Sequence, residues 1–96
     1  MSTKTNNFVI YGFEGCRYFI AAHELLKKHV AKNKTHTLQV VAVPYAEWHV
    51  MLANVPKRHK LLKTHVEKVA KHKTSPLIIK NHKYIGGHDA LCAHLQ

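Results

Sequence analysis

Cys16 lies in YGFEGCRYF, residues 11–19, between a short apolar run and a long helical pattern. A side chain at that junction meets the open backbone N–H groups and the positive end of the helix dipole, and both favour an anion. Arg17 sets a cation beside it. Thiols at helix N-termini or next to cations can ionise at ~3.5–7.5 instead of ~8.5, and the thiolate is the nucleophile of thiol–disulfide exchange. Glu14 pulls the other way, so the net sign of the local field stays open at this level. The alternative role is a buried, inert cysteine. Two other stretches carry chemistry. Thr74-Ser75-Pro76 stands directly before an apolar run, where a proline costs no ladder hydrogen bond and where a cis Ser75–Pro76 bond is an option. In IGGHDAL, residues 85–91, two glycines permit close backbone approach to a ligand. The helix start that follows offers N–H donors to a carboxylate, while Asp89 can accept from an amine. The plainer alternative for that stretch is a turn leading into a capped helix.

The elements that must position these residues follow from periodicity. FVIYG (8–12) reads as a strand ended by Gly12. From Cys16 to about Lys32, Phe19, Ala22, Leu26 and Val30 recur at helical spacing, and NKTH (33–36) ends the pattern. TLQVVAV (37–43) is nearly continuous in its apolar residues, which predicts a strand covered on both faces. Pro44 ends it, and AEWHVMLA (46–53) reads as a short helical turn. Pro56 suits a first helical position, so a helix is predicted from there to about Lys73, with Leu62, Val66 and Val69 inward and Lys and Arg outward. SPLIIK (75–80) is a third strand, Asn81-His82 a turn, KYI a fourth strand, and HDALCAHL a last helix. The order β-α-β-α-β-β-α implies a parallel pairing of the first two strands, a terminal hairpin, and a mixed four-stranded sheet with helices on both faces.

Ninety-six residues, 46% of them hydrophobic, predict one domain over 1–96 able to bury a core without disulfides. No run approaches the ~20 apolar residues of a membrane span, and the polar start MSTKTNN lacks a signal core. A soluble cytoplasmic protein with no membrane partner is expected, both cysteines being thiols there. Fifteen Lys and Arg against five Asp and Glu give +10, and ten histidines add charge as pH falls through ~6.5. Such a surface attracts anions: acidic proteins, nucleic acid or a small carboxylate. Nucleic acid has the weaker support, because no aromatics interleave the basic stripes. His88 and Cys92 are four apart, yet zinc takes three or four ligands and no other pair has ligand spacing. No metal site is therefore expected, Cys92 reads as a small core residue, and the histidines read as surface polarity.

Taken together, VIYGFEGCRYF, TSP and GGHDAL resemble the glutaredoxin family, a branch of the thioredoxin fold, in order and spacing over nearly the whole chain. The family's Thr-Val-Pro corresponds to Thr74-Ser75-Pro76, and its Gly-Gly-x-Asp-x-Leu matches residues 86–91. The resemblance implies a glutathione-dependent oxidoreductase that acts as a monomer, with glutathione as co-substrate and glutathionylated proteins as partners. Cys16 would form the mixed disulfide and Arg17 would tune its thiolate. Tyr18 would flank the sulfur. The Ser75 backbone beside Pro76 would pair with the middle of the tripeptide. Gly87, His88 and Asp89 would hold its γ-glutamyl end, and Thr74 and Lys73 its glycyl carboxylate. The family's Cys-Pro-Tyr-Cys is Cys-Arg-Tyr-Phe here, so Phe19 takes the place of the resolving cysteine. That leaves the monothiol route, removal of glutathione from mixed disulfides, with a second glutathione resolving the intermediate. Two alternatives are a binding module with weak or no catalysis and a glutathione-ligated [2Fe–2S] carrier. Bulky Arg17 and Phe19 count against a cluster.

Overall fold

The computed structural model describes residues 6–32, 35–59 and 61–95; residues 1–5 of the polar start and Asn33 and Lys34 of the helix-ending NKTH lie outside them. The elements are β1 (Asn6–Phe13), α1 (Arg17–Lys32), β2 (His36–Val43), a 3-10 turn (Tyr45–Glu47), α2 (Trp48–Arg58), α3 (Lys63–Lys71), β3 (Leu77–Lys80), β4 (Lys83–Gly86) and α4 (His88–Leu95). The strands form one mixed sheet in the order β2-β1-β3-β4. β1 runs parallel to β2, placing Phe8 beside Leu38 and Phe13 beside Val43. β3 lies antiparallel to β1 and to β4.

Side chains of a strand alternate between faces, and here both faces are covered. Phe8 and Ile10 of β1 and Ile78 of β3 pack with Phe19, Ala22 and Leu26 of α1 and Leu91 of α4. Their neighbours Tyr11, Leu77 and Ile79 point the other way, onto Trp48, Met51, Leu52 and Val55 of α2 and Val69 of α3. β1 and β3 are thus the buried centre of the sheet.

The sequence reading and the structure part in several places. The short helical turn expected over 46–53 is the 3-10 turn and the first part of α2, which runs on through Pro56, and the helix expected from Pro56 to about Lys73 is broken between Arg58 and Lys63, its second part being α3. Trp48, Met51, Leu52 and Val55 sit at helical spacing and are all buried. Burying a large apolar side chain is worth ~1.5–3 kcal/mol, so four of them outweigh the ~3 kcal/mol cost of an interior proline. Leu62, expected inward, precedes α3 in extended conformation and is 65% exposed. Val66 is half-buried and Val69 buried. β2, expected to be covered on both faces, is an edge strand covered only in part: Leu38 packs against one cluster and Val41 and Val43 against the other, while Val40 is exposed. The third strand begins at Leu77, because Ser75 and Pro76 belong to the loop before it, and their peptide bond is cis. The predicted Asn81-His82 turn is present, with φ of 51° and 63°. Positive φ at both central residues is what the tight I′ hairpin turn demands, and Asn meets it readily. Among the described residues, no helix is long and apolar enough to cross a membrane.

Candidate functional site

The site grows from the end of β1. Phe13 to Cys16 makes a tight turn, closed by the Cys16 N–H on the Phe13 carbonyl at 3.2 Å, with Gly15 at a φ of 84°. That conformation at the third turn residue favours glycine. The turn delivers Cys16 to the head of α1, where the Ile20 N–H bonds the Cys16 carbonyl at 3.0 Å. Phe19 has no chemistry to perform: it is buried, and its ring lies against Gly12 so closely that an added Cβ would stand 2.2 Å from Phe19 Cδ1. The bare backbone of Gly12 therefore brings α1 down onto β1 and fixes the height of Cys16 above the sheet.

The Thr74–Pro76 loop comes in from the opposite side. Cys16 Sγ is half-buried and points to the Ser75 carbonyl oxygen at 3.7 Å. Ser75 Oγ accepts the Phe13 N–H at 3.3 Å, tying the loop to β1. Trp48, buried, donates Nε1–H to the Lys73 carbonyl at 3.3 Å. The Pro76 carbonyl is held by His72 Nε2 at 3.0 Å, and His72 Nδ1 meets the Tyr84 hydroxyl at 2.7 Å. The proton positions in this chain follow from chemistry. A carbonyl only accepts, so Nε2 carries the hydrogen; a neutral ring then offers a lone pair at Nδ1, and the Tyr84 O–H donates to it. Burial holds the Tyr84 phenol above its usual range, which keeps that hydrogen in place. His72 thus spans the end of α3, the loop and β4. Reading the histidines as surface polarity missed it, because neither of its partners is at a recognisable spacing in sequence.

One cleft opens beside the sulfur and a second adjoins it. One, about 300 Å³, is lined by Phe13, Cys16, Tyr18, Tyr45, Trp48 and Lys73 with Thr74 and Ser75. Phe13 makes edge-to-face contacts with Tyr45 at 4.9 Å and Trp48 at 5.9 Å, which form its aromatic wall. The other, about 360 Å³, is lined by Tyr18, Thr74, Ser75, Gly87, His88 and Asp89. Tyr18, Thr74 and Ser75 belong to both, so the two are halves of one trough running from Cys16 to the start of α4. The three sequence stretches converge there: Cys16, Tyr18, Lys73, Thr74, Ser75, Gly87, His88 and Asp89 all line it, with Pro76 buried beneath. Arg17 is exposed and lines neither half. Tyr18, exposed, tilts against the His88 ring at 5.9 Å.

Cys92 is not a core residue. It is half-exposed on α4, with its sulfur 3.8 Å from His88 Nε2. His88 Nδ1 lies 3.5 Å from Asp89 Oδ1, yet it makes no aligned hydrogen bond. At that distance and with Asp89 fully exposed, the pair counts for little. Among the described residues, no group of three or more His, Cys, Asp or Glu is arranged to hold a metal ion.

A four-stranded mixed sheet flanked by helices, with a cysteine at the head of α1 facing a cis-proline loop, is a thioredoxin-like architecture. Comparison with solved structures narrows this to the glutaredoxin type. The chain is similar to glutaredoxin 1 from Francisella tularensis, complexed with cacodylate, with a TM-score of 0.62 and 20% identity, covering 95% of this chain and 93% of that one. It is also similar to E. coli glutaredoxin, with a TM-score of 0.58 and 22% identity over 93% and 92% of the two chains. Neither the protein-family models nor the curated proteins contain a match. At such identities the likeness speaks to the fold, which is that of glutaredoxins along nearly the whole chain.

Proposed function

We propose that this protein is a glutathione-dependent monothiol thiol–disulfide oxidoreductase that removes glutathione from mixed disulfides. The observation that carries the reading is the 3.7 Å between Cys16 Sγ and the Ser75 carbonyl, at one end of a trough with backbone and side-chain polar groups along its length. A tripeptide laid in that trough would bring its own sulfur beside Cys16. Its peptide-like middle would meet the backbone of Ser75. Its γ-glutamyl end would meet the N–H groups at the start of α4 and the Asp89 carboxylate, and its glycyl carboxylate would lie near Thr74 and Lys73. These donors at a helix N-terminus suit a carboxylate.

The chemistry balances with one protein thiol. The Cys16 thiolate attacks the glutathione sulfur of a mixed disulfide; an S–S bond forms between Cys16 and glutathione, and the other thiol leaves as thiolate and takes up a proton. A second glutathione thiolate then attacks the glutathione sulfur of that intermediate, forming oxidised glutathione and returning Cys16 as thiolate. No second protein cysteine is needed, which is consistent with Phe19 serving only to pack. The half-exposed sulfur answers the requirement that both attacking partners reach it.

Replacing Cys16→Ser tests the assignment, with release of glutathione from a small mixed disulfide as the assay. The variant is expected to fall to the uncatalysed rate. Turnover equal to that of the unmodified protein would remove Cys16 from the reaction.

A further inference from the structure

The trough does not end at Lys73 and Thr74. Both residues also line a third depression, of about 440 Å³, bounded by Lys68, Lys71, His72 and Tyr84. It runs from the cleft beside Cys16 along the end of α3. Lys68, Lys71 and Lys73 are exposed, and among the described residues none of the three is ion-paired. No acidic side chain lines this depression or the Cys16 half of the trough.

Lysines in the last turn of a helix complement its dipole, which accounts for Lys68 and Lys71 taken singly. It does not account for Lys73, which lies beyond the helix with its backbone carbonyl fixed by Trp48. With Lys73 near the glycyl carboxylate of glutathione, Lys68 and Lys71 remain as two further ammonium groups along a concave surface that adjoins the Cys16 cleft, with no acidic side chain among the residues that line it. Ions of opposite sign are concentrated there, and a segment carrying carboxylates recovers Coulomb energy that the folded chain leaves unused.

We propose that this groove docks an acidic segment of the polypeptide that carries the mixed disulfide. The proposal rests on the reading of Cys16 above and adds a substrate class to it: proteins with Asp or Glu a few residues from the modified cysteine. The small-molecule half of the substrate lies between Cys16 and α4, and the polypeptide half leaves past Thr74 along α3. Preference for acidic neighbours then comes from a local surface and not from the overall charge of +10.

The test is direct binding to the Cys16→Ser protein, which holds the substrate without turning it over. Short fluorescein-labelled peptides with a central glutathionylated cysteine, flanked by aspartate, serine or lysine, are titrated and followed by anisotropy. At ~0.1 M salt the Debye length is ~10 Å, so contacts inside the groove survive while long-range attraction is largely screened. The aspartate peptide is expected to bind about tenfold more tightly than the lysine peptide, the scale of a close rim charge pair or two. In Lys68→Gln/Lys71→Gln that ratio should fall to about twofold or less, since each lost cation removes one such pair. Lys28→Gln/Lys57→Gln, which removes the same charge elsewhere, should leave it intact. An equal loss in both double variants, or no preference for aspartate in the parent, overturns the proposal. Competition by free glutathione reads the underlying assignment separately. If free glutathione fails to displace any peptide, the glutathione reading fails, while the aspartate-to-lysine ratio still decides the groove.

Discussion

At the residue scale, the site depends on two side chains of different visibility. Cys16 announces itself by its place after a glycine and before a helical pattern, and the structure puts it at the head of α1 facing Ser75. His72 has no such announcement. Its role arises from Tyr84, twelve residues away, and from the carbonyl of Pro76, and both contacts exist only once β4 lies beside the end of α3. It is a positioning residue: it holds the Pro76 carbonyl, one residue beyond the Ser75 carbonyl that Cys16 faces. A net hydrogen bond is worth ~1 kcal/mol, so His72→Ala should raise the KM for glutathione by about fivefold and leave kcat little changed. His72→Gln, whose amide N–H can reach the same carbonyl, should recover most of the loss. Steady-state kinetics in both substrates would check this. Equal falls in kcat for the two variants, matched by equal losses of thermal stability, would show that His72 merely supports the fold.

At the scale of elements, periodicity was a good guide wherever one face of an element met one face of another. β1, α1, the parallel β1–β2 pair and the β3–β4 hairpin follow the expected pattern. The region after Pro44 followed it in helical character but not in its boundaries. The proline rule suggested a helix beginning at Pro56, although Trp48, Met51, Leu52 and Val55 already carry a helical stripe. The burial of that stripe decides, and α2 runs through the proline and stops two residues beyond it. The join between β1 and α1 is tight, with a Cβ at position 12 falling 2.2 Å from the Phe19 ring. Gly12→Ala should therefore destabilise the protein by ~1–3 kcal/mol, the usual cost of overpacking a core. Urea unfolding would measure it. In a Phe19→Leu background the same change should cost clearly less, because the two positions share one space. Additive losses would argue that the strain lies elsewhere.

At the scale of the whole molecule, the histidines and the basic charge act together. His29, His59 and His94 are all held below the ordinary histidine range, in each case first by burial. Neighbouring lysines, arginine and imidazoles, each of which would repel a charged ring, add to this: His36, Lys80, His94 and Lys32 around His29, His82 and Arg58 around His59, and Lys80 beside His94. Lys80 Nζ lies 3.1 Å from His94 Nε2, a contact that requires the histidine to be neutral. His59 accepts or donates within a chain from Tyr11 at 2.6 Å to His82 at 3.3 Å, and both contacts suit a neutral ring. With folded values below the unfolded ~6.5, the unfolded chain binds more protons in the window between them, so stability rises with pH there. The stability present above ~6.5 is lost as pH falls through the folded values. The urea midpoint should accordingly drop between pH 7.5 and 5.5, and His94→Gln should flatten the slope. A midpoint that held or rose on acidification would contradict the sign.

The order of most elements, the three stretches that carry chemistry and the strongly basic character were determined by the amino-acid sequence alone. They are local properties, set by side-chain type and spacing along one chain. Which face of β1 receives α1, the edge position of β2, the division of α2 from α3, the clamp of His72 on Pro76 and the gathering of lysines beside Thr74 were decided by tertiary structure. Each depends on partners far apart in the chain, whose contacts gain energy only after the sheet has brought them within a few ångströms.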